Sequence, residues 1–240
     1  MLKSAFMSLF LAPLCALLLS ANPAAAAVQK HVLLVTQTGG PNAPVDARIA
    51  AHLGTLGYDV RLVNQDADPA SIRNIDLIVL SSTVSAKDVN PGWRTVAIPL
   101  LTWENDFLDD LAMTGKRHDT DFGEVDKERY LWIVNAPHPM AGGLPAGIAN
   151  VFVKQAGMSW GKPGLGATTI ATIYGQPEKA AIFGYEKGAT MDYETLAPAR
   201  RVMMFLGNDS FTNLSPAGMT LFDSAVAWAI GSSERRPDSK

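Results

Sequence analysis

Two stretches of this chain, His31–Thr36 (HVLLVT) and Ile75–Leu80 (IDLIVL), are apolar at successive positions rather than alternate ones. A strand of that kind has no face to turn to water, so it needs a layer of structure on each side. That demand points to a sheet held inside a sandwich. Between the two runs, a Gly/Pro/Asn loop over Gln37–Pro44 leads into Val45–Leu56, where Ile49, Leu53 and Leu56 share one helical face. Asp46 suits the first turn of that helix and Gly57 ends it. Tyr58–Val63 reads as a further strand, and Val96–Trp103 (VAIPLLTW) as a fourth, made irregular by Pro99. Strands alternating with helical segments predict a parallel sheet with helices on both faces.

After Leu108 the pattern changes. A polar loop over Thr114–Arg129 precedes short β segments at Tyr130–Val134, Val151–Gln155, Thr168–Tyr174, Ala180–Tyr185 and Arg201–Leu206. Their hairpin-like spacing predicts an antiparallel extension of the sheet. Ser215–Gly231 closes the fold as an amphipathic helix, with Ser215 as N-cap, Pro216 at the first helical position and Gly231 as the stop. No repeat or interior linker divides residues 28–231, which read as one domain, and the charged segment Ser232–Lys240 reads as a disordered tail.

Residues 1–27 combine a basic start at Lys3, the apolar run Phe6–Leu19, Pro23 and the small residues Ala24–Ala27. That order predicts a cleaved signal peptide and a secreted or periplasmic protein. The only cysteine, Cys15, lies inside this leader, so the exported form has no thiol for nucleophilic catalysis or disulfides. The apolar run is shorter than the ~20 residues a bilayer span takes, so no span is expected in the mature chain. A formal net charge of −3 gives no electrostatic reason to expect nucleic acid as a partner. Nothing in the sequence fixes the oligomeric state.

The order strand–loop–helix–strand–strand, followed by Ile98-Pro99-Leu100-Leu101-Thr102-Trp103-Glu104, resembles the class I glutamine amidotransferase-like superfamily. Two further stretches are similar to its trehalose-utilisation (ThuA-like) branch, which lacks the nucleophilic cysteine. One is His138-Pro139-Met140-Ala141-Gly142-Gly143-Leu144. The other runs from Tyr185-Glu186-Lys187-Gly188 through Arg200-Arg201-Val202 and Leu206-Gly207-Asn208 to Ala227-Trp228-Ala229-Ile230-Gly231. The resemblance implies a flavodoxin-like α/β three-layer sandwich, its sheet mostly parallel with an antiparallel C-terminal extension. By the Pro99 register, Glu104 occupies the position of the superfamily's cysteine. Its neighbours Thr102, Trp103, Asn105 and Asp106 are too bulky for a strained nucleophile turn, so glutamine hydrolysis is not expected. Gly207-Asn208 stands where the ThuA-like branch would have Gly-His.

Open α/β sheets bind ligands beyond the carboxyl ends of their strands. Here that edge gathers Thr36 and Thr38, then Ser81, Ser82 and Thr83, then Trp103 and Glu104, with Asn135 and His138 after the next strand. Hydroxyls, one tryptophan and one carboxylate suit a sugar, although Ser and Thr at strand ends also serve simply as caps. Three readings remain open on these residues: a non-catalytic binding domain for carbohydrate or cell-envelope glycan, a ThuA-like enzyme acting on a sugar-derived substrate with Glu104 and His138 as acid and base, and a protein–protein interaction module. Trp160, in the turn-rich Ser159–Gly164, is a candidate for a second carbohydrate surface with Tyr174, Phe183, Tyr185 and Tyr193. No cofactor is expected, because Pro41 and Pro44 strip amide donors from a loop, Thr36–Gly40, that is otherwise similar to a flavin phosphate loop. No metal site is expected either, since the carboxylates of Asp119–Asp126 lack the length and terminal bidentate Glu of an EF-hand.

N-terminal sequencing of the exported protein should find a chain starting close after Ala27. A mature chain that keeps Cys15 would contradict the export reading.

Overall fold

A computed structural model describes residues 29–231. The signal-peptide and tail assignments fall outside the described residues. The strands are β1 (His31–Thr36), β2 (Asp59–Asn64), β3 (Leu77–Leu80), β4 (Leu100–Thr102), β5 (Phe122–Glu128), β6 (Tyr130–Ile133), β7 (Gly147–Asn150), β8 (Ala156–Gly161), β9 (Thr168–Ile173), β10 (Gln176–Tyr185) and β11 (Arg201–Met203). The α-helices are α1 (Ala43–Thr55) and α2 (Pro216–Ile230).

The strands form one mixed sheet in the order β2-β1-β3-β4-β11-β10-β9-β6-β7, with a β5–β8 ribbon attached to β10. From β2 to β11 every neighbour is parallel. From β11 outward every neighbour is antiparallel. The architecture is thus the α/β flavodoxin-like sandwich with its antiparallel extension.

The apolar runs of β1 and β3 are buried at both faces, as their sequences require. Val32, Leu34, Leu77, Val79 and Leu101 point into the first core with Ile49 and Leu53 of α1 and Leu221, Phe222 and Val226 of α2. Leu33, Val35, Ile78, Leu80 and Leu100 point into the second. The expectation of helices on both faces needs correcting. Both α-helices lie on the first face, and the second is covered by short 3₁₀ turns at 69–71, 86–88, 91–95 and 105–107 with Leu108, Leu111 and Met113. Pro69 and Pro91 open two of those turns, and Asp68 and Asn90 cap them by accepting the amides of Ala70 and Gly92. Such punctuation leaves no room for a continuous helix.

Arg201 is wholly buried at the start of β11. Its guanidinium donates to the carbonyls of Arg94, Val96, Ile98 and Arg200, fixing the irregular segment that feeds β4. Burial lowers its pKa to about 10, which still leaves it charged at neutral pH. The closing helix is built as expected, with Ser215 Oγ accepting the Gly218 amide at 3.1 Å and Gly231 at φ 76°. His52 Nε2 and Asp223 Oδ1, 2.6 Å apart, tie α1 to α2.

Two other expectations shift. The segment 151–155 is a connection rather than a strand, because Val151 is engaged by α2: its carbonyl accepts the Ser215 amide at 2.9 Å, and Gly218 packs against it so closely that a Cβ there would sit 2.3 Å from that oxygen. The polar stretch expected as a loop contains β5, whose Phe122 and Val125 turn inward while Glu124 and Asp126 face solvent. Among the described residues no helix is long and apolar enough to cross a membrane.

Phe222 is fully buried, with ring neighbours Phe211 at 5.2 Å and Trp103 at 6.1 Å. Replacing it by Ala should cost about 3–5 kcal/mol in urea unfolding. An unchanged midpoint would contradict this packing.

Candidate functional site

The strand ends of β1, β3 and β4 do converge at one edge of the sheet, but several of the hydroxyls there are already bound within the fold. Asp46, buried in the first turn of α1, accepts Ser81 Oγ and Thr83 Oγ1, each at 2.7 Å. Burial raises the Asp46 pKa and the two hydroxyls pull it back. Thr36 is buried, and Thr38 donates outward to Asn64 Oδ1 at 3.1 Å. Trp103 is buried in the first core against Phe222 and offers no ring to a ligand. Only Ser82 Oγ is left buried without a partner on this edge among the described residues.

Glu104 follows β4 and is 6% exposed. Its amide donates to Thr102 Oγ1 at 3.0 Å, and that hydroxyl donates to the Leu80 carbonyl across the strand pair. The Glu104 carboxyl then caps the turn 105–107 by accepting the Asp106 amide at 3.1 Å. With φ −78° and ψ 98° the residue is extended, without the left-handed backbone of a nucleophile turn. Burial, then the Asp106 and Glu124 carboxylates, push its pKa up to about 8 against the single Asp106 amide. Glu104 therefore holds a proton at neutral pH and can donate it or a hydrogen bond. The Glu124 carboxyl lies over Gly157, where a Cβ would sit 2.0 Å from its Oε1. Its pKa is raised by desolvation, then by Asp126, Asp209 and Asp106. Beside it opens a polar cavity of about 340 Å³ lined by Lys154, Gly157, Asp209, Ser210 and Asn213.

His138 is not at this edge. It follows β6, and β6 runs antiparallel to the parallel set, so its carboxyl end emerges on the opposite side of the molecule. There Nδ1 accepts the Met140 amide at 3.2 Å and the ring lies 5.3 Å from Trp228, near the end of α2. Burial lowers its pKa, with Glu186 and Arg200 acting in opposite senses. Glu104 and His138 cannot act on one substrate as an acid/base pair. Trp160 also departs from expectation: it sits within β8, buried at 3% exposure, with Lys179 Nζ 4.8 Å from the ring centroid. In the Asp119–Asp126 stretch, Asp121 is bound by the Arg117 guanidinium at 2.9 and 3.0 Å. No group of three or more His, Cys, Asp or Glu among the described residues is placed to hold a metal ion.

The accessible aromatic surface lies on β6 and β9. Leu131 and Ile133 enter the first core, so Tyr130, Trp132 and Val134 face the other way. Trp132 pairs in register with Thr172, which sets Tyr174 diagonally beside it. The Trp132 and Tyr174 rings are 6.3 Å apart and tilted by 32°, and Tyr130 meets Tyr174 at 6.4 Å. Trp132 and Tyr174 are each 44% exposed and border a groove of about 440 Å³ with Val134, Thr172, Gly175 and Pro177. The cover of the second face reaches the parallel strands and β10 but not β9 and β6. Tyr174 is among the late aromatics named from sequence. Trp132 is not legible as a surface residue, because a strand apolar at every position, Tyr-Leu-Trp-Ile, carries no sign of which face stays bare.

No family model matches the chain, and no curated protein matches it in sequence. Solved structures do. A protein of Bacteroides uniformis described as ThuA-like aligns with a TM-score of 0.54 and 10% identity, over 90% of this chain and 96% of its own. A protein of Thermoplasma acidophilum described as one component of a GMP synthase aligns with a TM-score of 0.50 and 14% identity, over 85% and 96%. These likenesses support the glutamine amidotransferase-like, ThuA-like fold expected from the sequence.

Glu104 makes a specific pH dependence. Its folded-state pKa of about 8 exceeds the ordinary 4.5, so the folded state holds the proton more tightly. Its contribution to stability is fully present below pH 4.5 and is lost as pH rises to about 8. Glu104→Gln keeps an acceptor for the Asp106 amide and cannot ionise. Relative to the parent, it should gain on the order of a few kcal/mol between pH 5 and pH 9 in urea unfolding. Parallel pH profiles for the two proteins would contradict the burial of this carboxyl.

Proposed function

We propose that the protein is an exported, non-catalytic binding domain that holds a carbohydrate in the Trp132–Tyr174 groove. The observation that carries this reading is the exposed aromatic pair on a rigid sheet face. An apolar patch of this kind on a folded domain signals a binding surface, and aromatic rings present a negative face to the C–H bonds of a pyranose. Thr172 on the sheet and the Gly175–Pro177 turn supply the polar and shaped border such a site needs. Export rests on the leader sequence and places the domain where free and envelope glycans are met.

Two features weigh against catalysis of the amidotransferase kind. The sole cysteine, Cys15, belongs to the leader, and Glu104, in the cysteine's register, is an extended, protonated carboxyl. The enzyme alternative on a sugar-derived substrate loses its acid/base pair, since Glu104 and His138 occupy opposite edges. The interaction-module reading has one specific support: β7 ends the sheet, and its Ile148, 57% exposed, extends the apolar patch to an open strand edge.

Binding of the protein to an array of oligosaccharides tests the reading. Trp132→Ala should weaken any retained oligosaccharide about tenfold, equivalent to roughly 1.4 kcal/mol, with the fold unchanged by circular dichroism. Glu104→Gln should leave binding intact. Absence of glycan binding together with a stable dimer in sedimentation would favour docking through β7 instead.

A further inference from the structure

The aromatic row has a charged end. Arg129, the residue between β5 and β6, carries its guanidinium 5.3 Å from the centroid of the Tyr130 ring. Tyr130 leads to Tyr174, and Tyr174 to Trp132. Although Arg129 precedes the strand, its head is drawn to the exposed face, where Nε donates to Asn150 Oδ1 at 3.2 Å. Asn150 is the register partner of Tyr130 on β7. The neighbouring Glu128 turns one carboxylate oxygen to the backbone amides of Arg129 and Tyr130, at 2.7 and 3.0 Å, and makes no salt bridge to the guanidinium.

Among the described residues Arg48, Arg61, Arg73 and Arg94 also make no salt bridge, but only Arg129 lies over the aromatic row, and two other arginines are bound to carboxylates. Arg117 is held by Asp121 and Arg200 by Glu186. Among the described residues Arg129 makes no salt bridge, and its two terminal nitrogens donate to no protein group. The contact with Tyr130 and the bond from Nε to Asn150 hold the guanidinium at the end of the row and leave its terminal nitrogens unpaired. A guanidinium presented in this way matches a carboxylate by two parallel hydrogen bonds.

We propose that the groove takes an acidic oligosaccharide, with pyranose rings over Trp132 and Tyr174 and a uronic acid carboxylate on Arg129. The inference rests on the carbohydrate reading and names the class of sugar. It also gives the site a direction, from Arg129 beside Asn150 through Tyr130 and Tyr174 to Trp132. A neutral glycan would leave the fork without a partner, and the protein's formal net charge of −3 would otherwise disfavour an acidic ligand.

The test is calorimetric titration with oligomers of galacturonic, mannuronic and glucuronic acid, each compared with its methyl ester of the same shape. At least one acid should bind about tenfold more tightly than its ester in low salt, with the difference shrinking in high salt. Arg129→Gln should remove the preference and leave ester binding within about twofold. Arg129→Lys should restore only part of it, since an ammonium cannot make the paired bonds. Trp132→Ala should weaken acid and ester alike. Equal binding of acid and ester, or a preference that survives Arg129→Gln, would overturn the role of Arg129 while leaving the carbohydrate reading in place. Loss of all glycan binding, neutral sugars included, would overturn both.

Discussion

Arg201 stands where the two halves of the sheet meet. Its strand pairs parallel with β4 and antiparallel with β10, so it belongs to both. A guanidinium buried there without carbonyls to receive it would cost several kcal/mol. The carbonyls of Arg94, Val96 and Ile98 receive it, and in doing so they draw an irregular, proline-broken segment into a fixed path. That path delivers β4 into the centre of the sheet and sets Glu104 at its end. On the other side of Arg201, the antiparallel strands carry β6 and β9 outward, past the turns that cover the second face. The buried carboxyl and the bare aromatic groove thus depend on one junction.

The two regions have opposite characters. At the carboxyl edge of the parallel strands, the polar groups are turned inward: Asp46 binds Ser81 and Thr83, Thr102 links β4 to β3, and Glu104 caps its own turn. Such bonds stabilise the edge because unpaired buried hydroxyls would each cost more than a pair gains. They also leave few donors for a ligand. The groove on β6 and β9 is the reverse, with its rings open to solvent and an arginine at one end. Fold likeness to ThuA-like proteins would by itself direct attention to the first region. The side chains of this chain direct it to the second.

Much of the scaffold was legible in the sequence. The apolar runs of β1 and β3 announced burial on both faces, and Ser215, Pro216 and Gly231 announced both ends of α2. Hairpin spacing announced the antiparallel extension but not the order of its strands, and that order sets the direction of β6. For that reason the sequence alone sets His138 beside Glu104, although β6 runs against the parallel set. The β5 strand was hidden because its outward residues are charged and its inward ones few. Trp103 and Trp160 looked like ring platforms, yet burial consumes both, whereas Trp132 resembled core and is exposed. Which apolar face receives a cover depends on the lengths of distant connections, and local sequence does not record those.

On this reading ligands meet the protein on the β6–β9 face and not at the ends of the parallel strands. Two-dimensional NMR of the isotope-labelled protein, titrated with trigalacturonate and with cellotriose, addresses it residue by residue. Amide shifts should cluster over residues 129–134 and 172–177 while those of Thr36, Ser81–Thr83 and Glu104 stay fixed. Shifts centred on Glu104 and the 340 Å³ cavity beside Gly157, with the β6–β9 face silent, would contradict it.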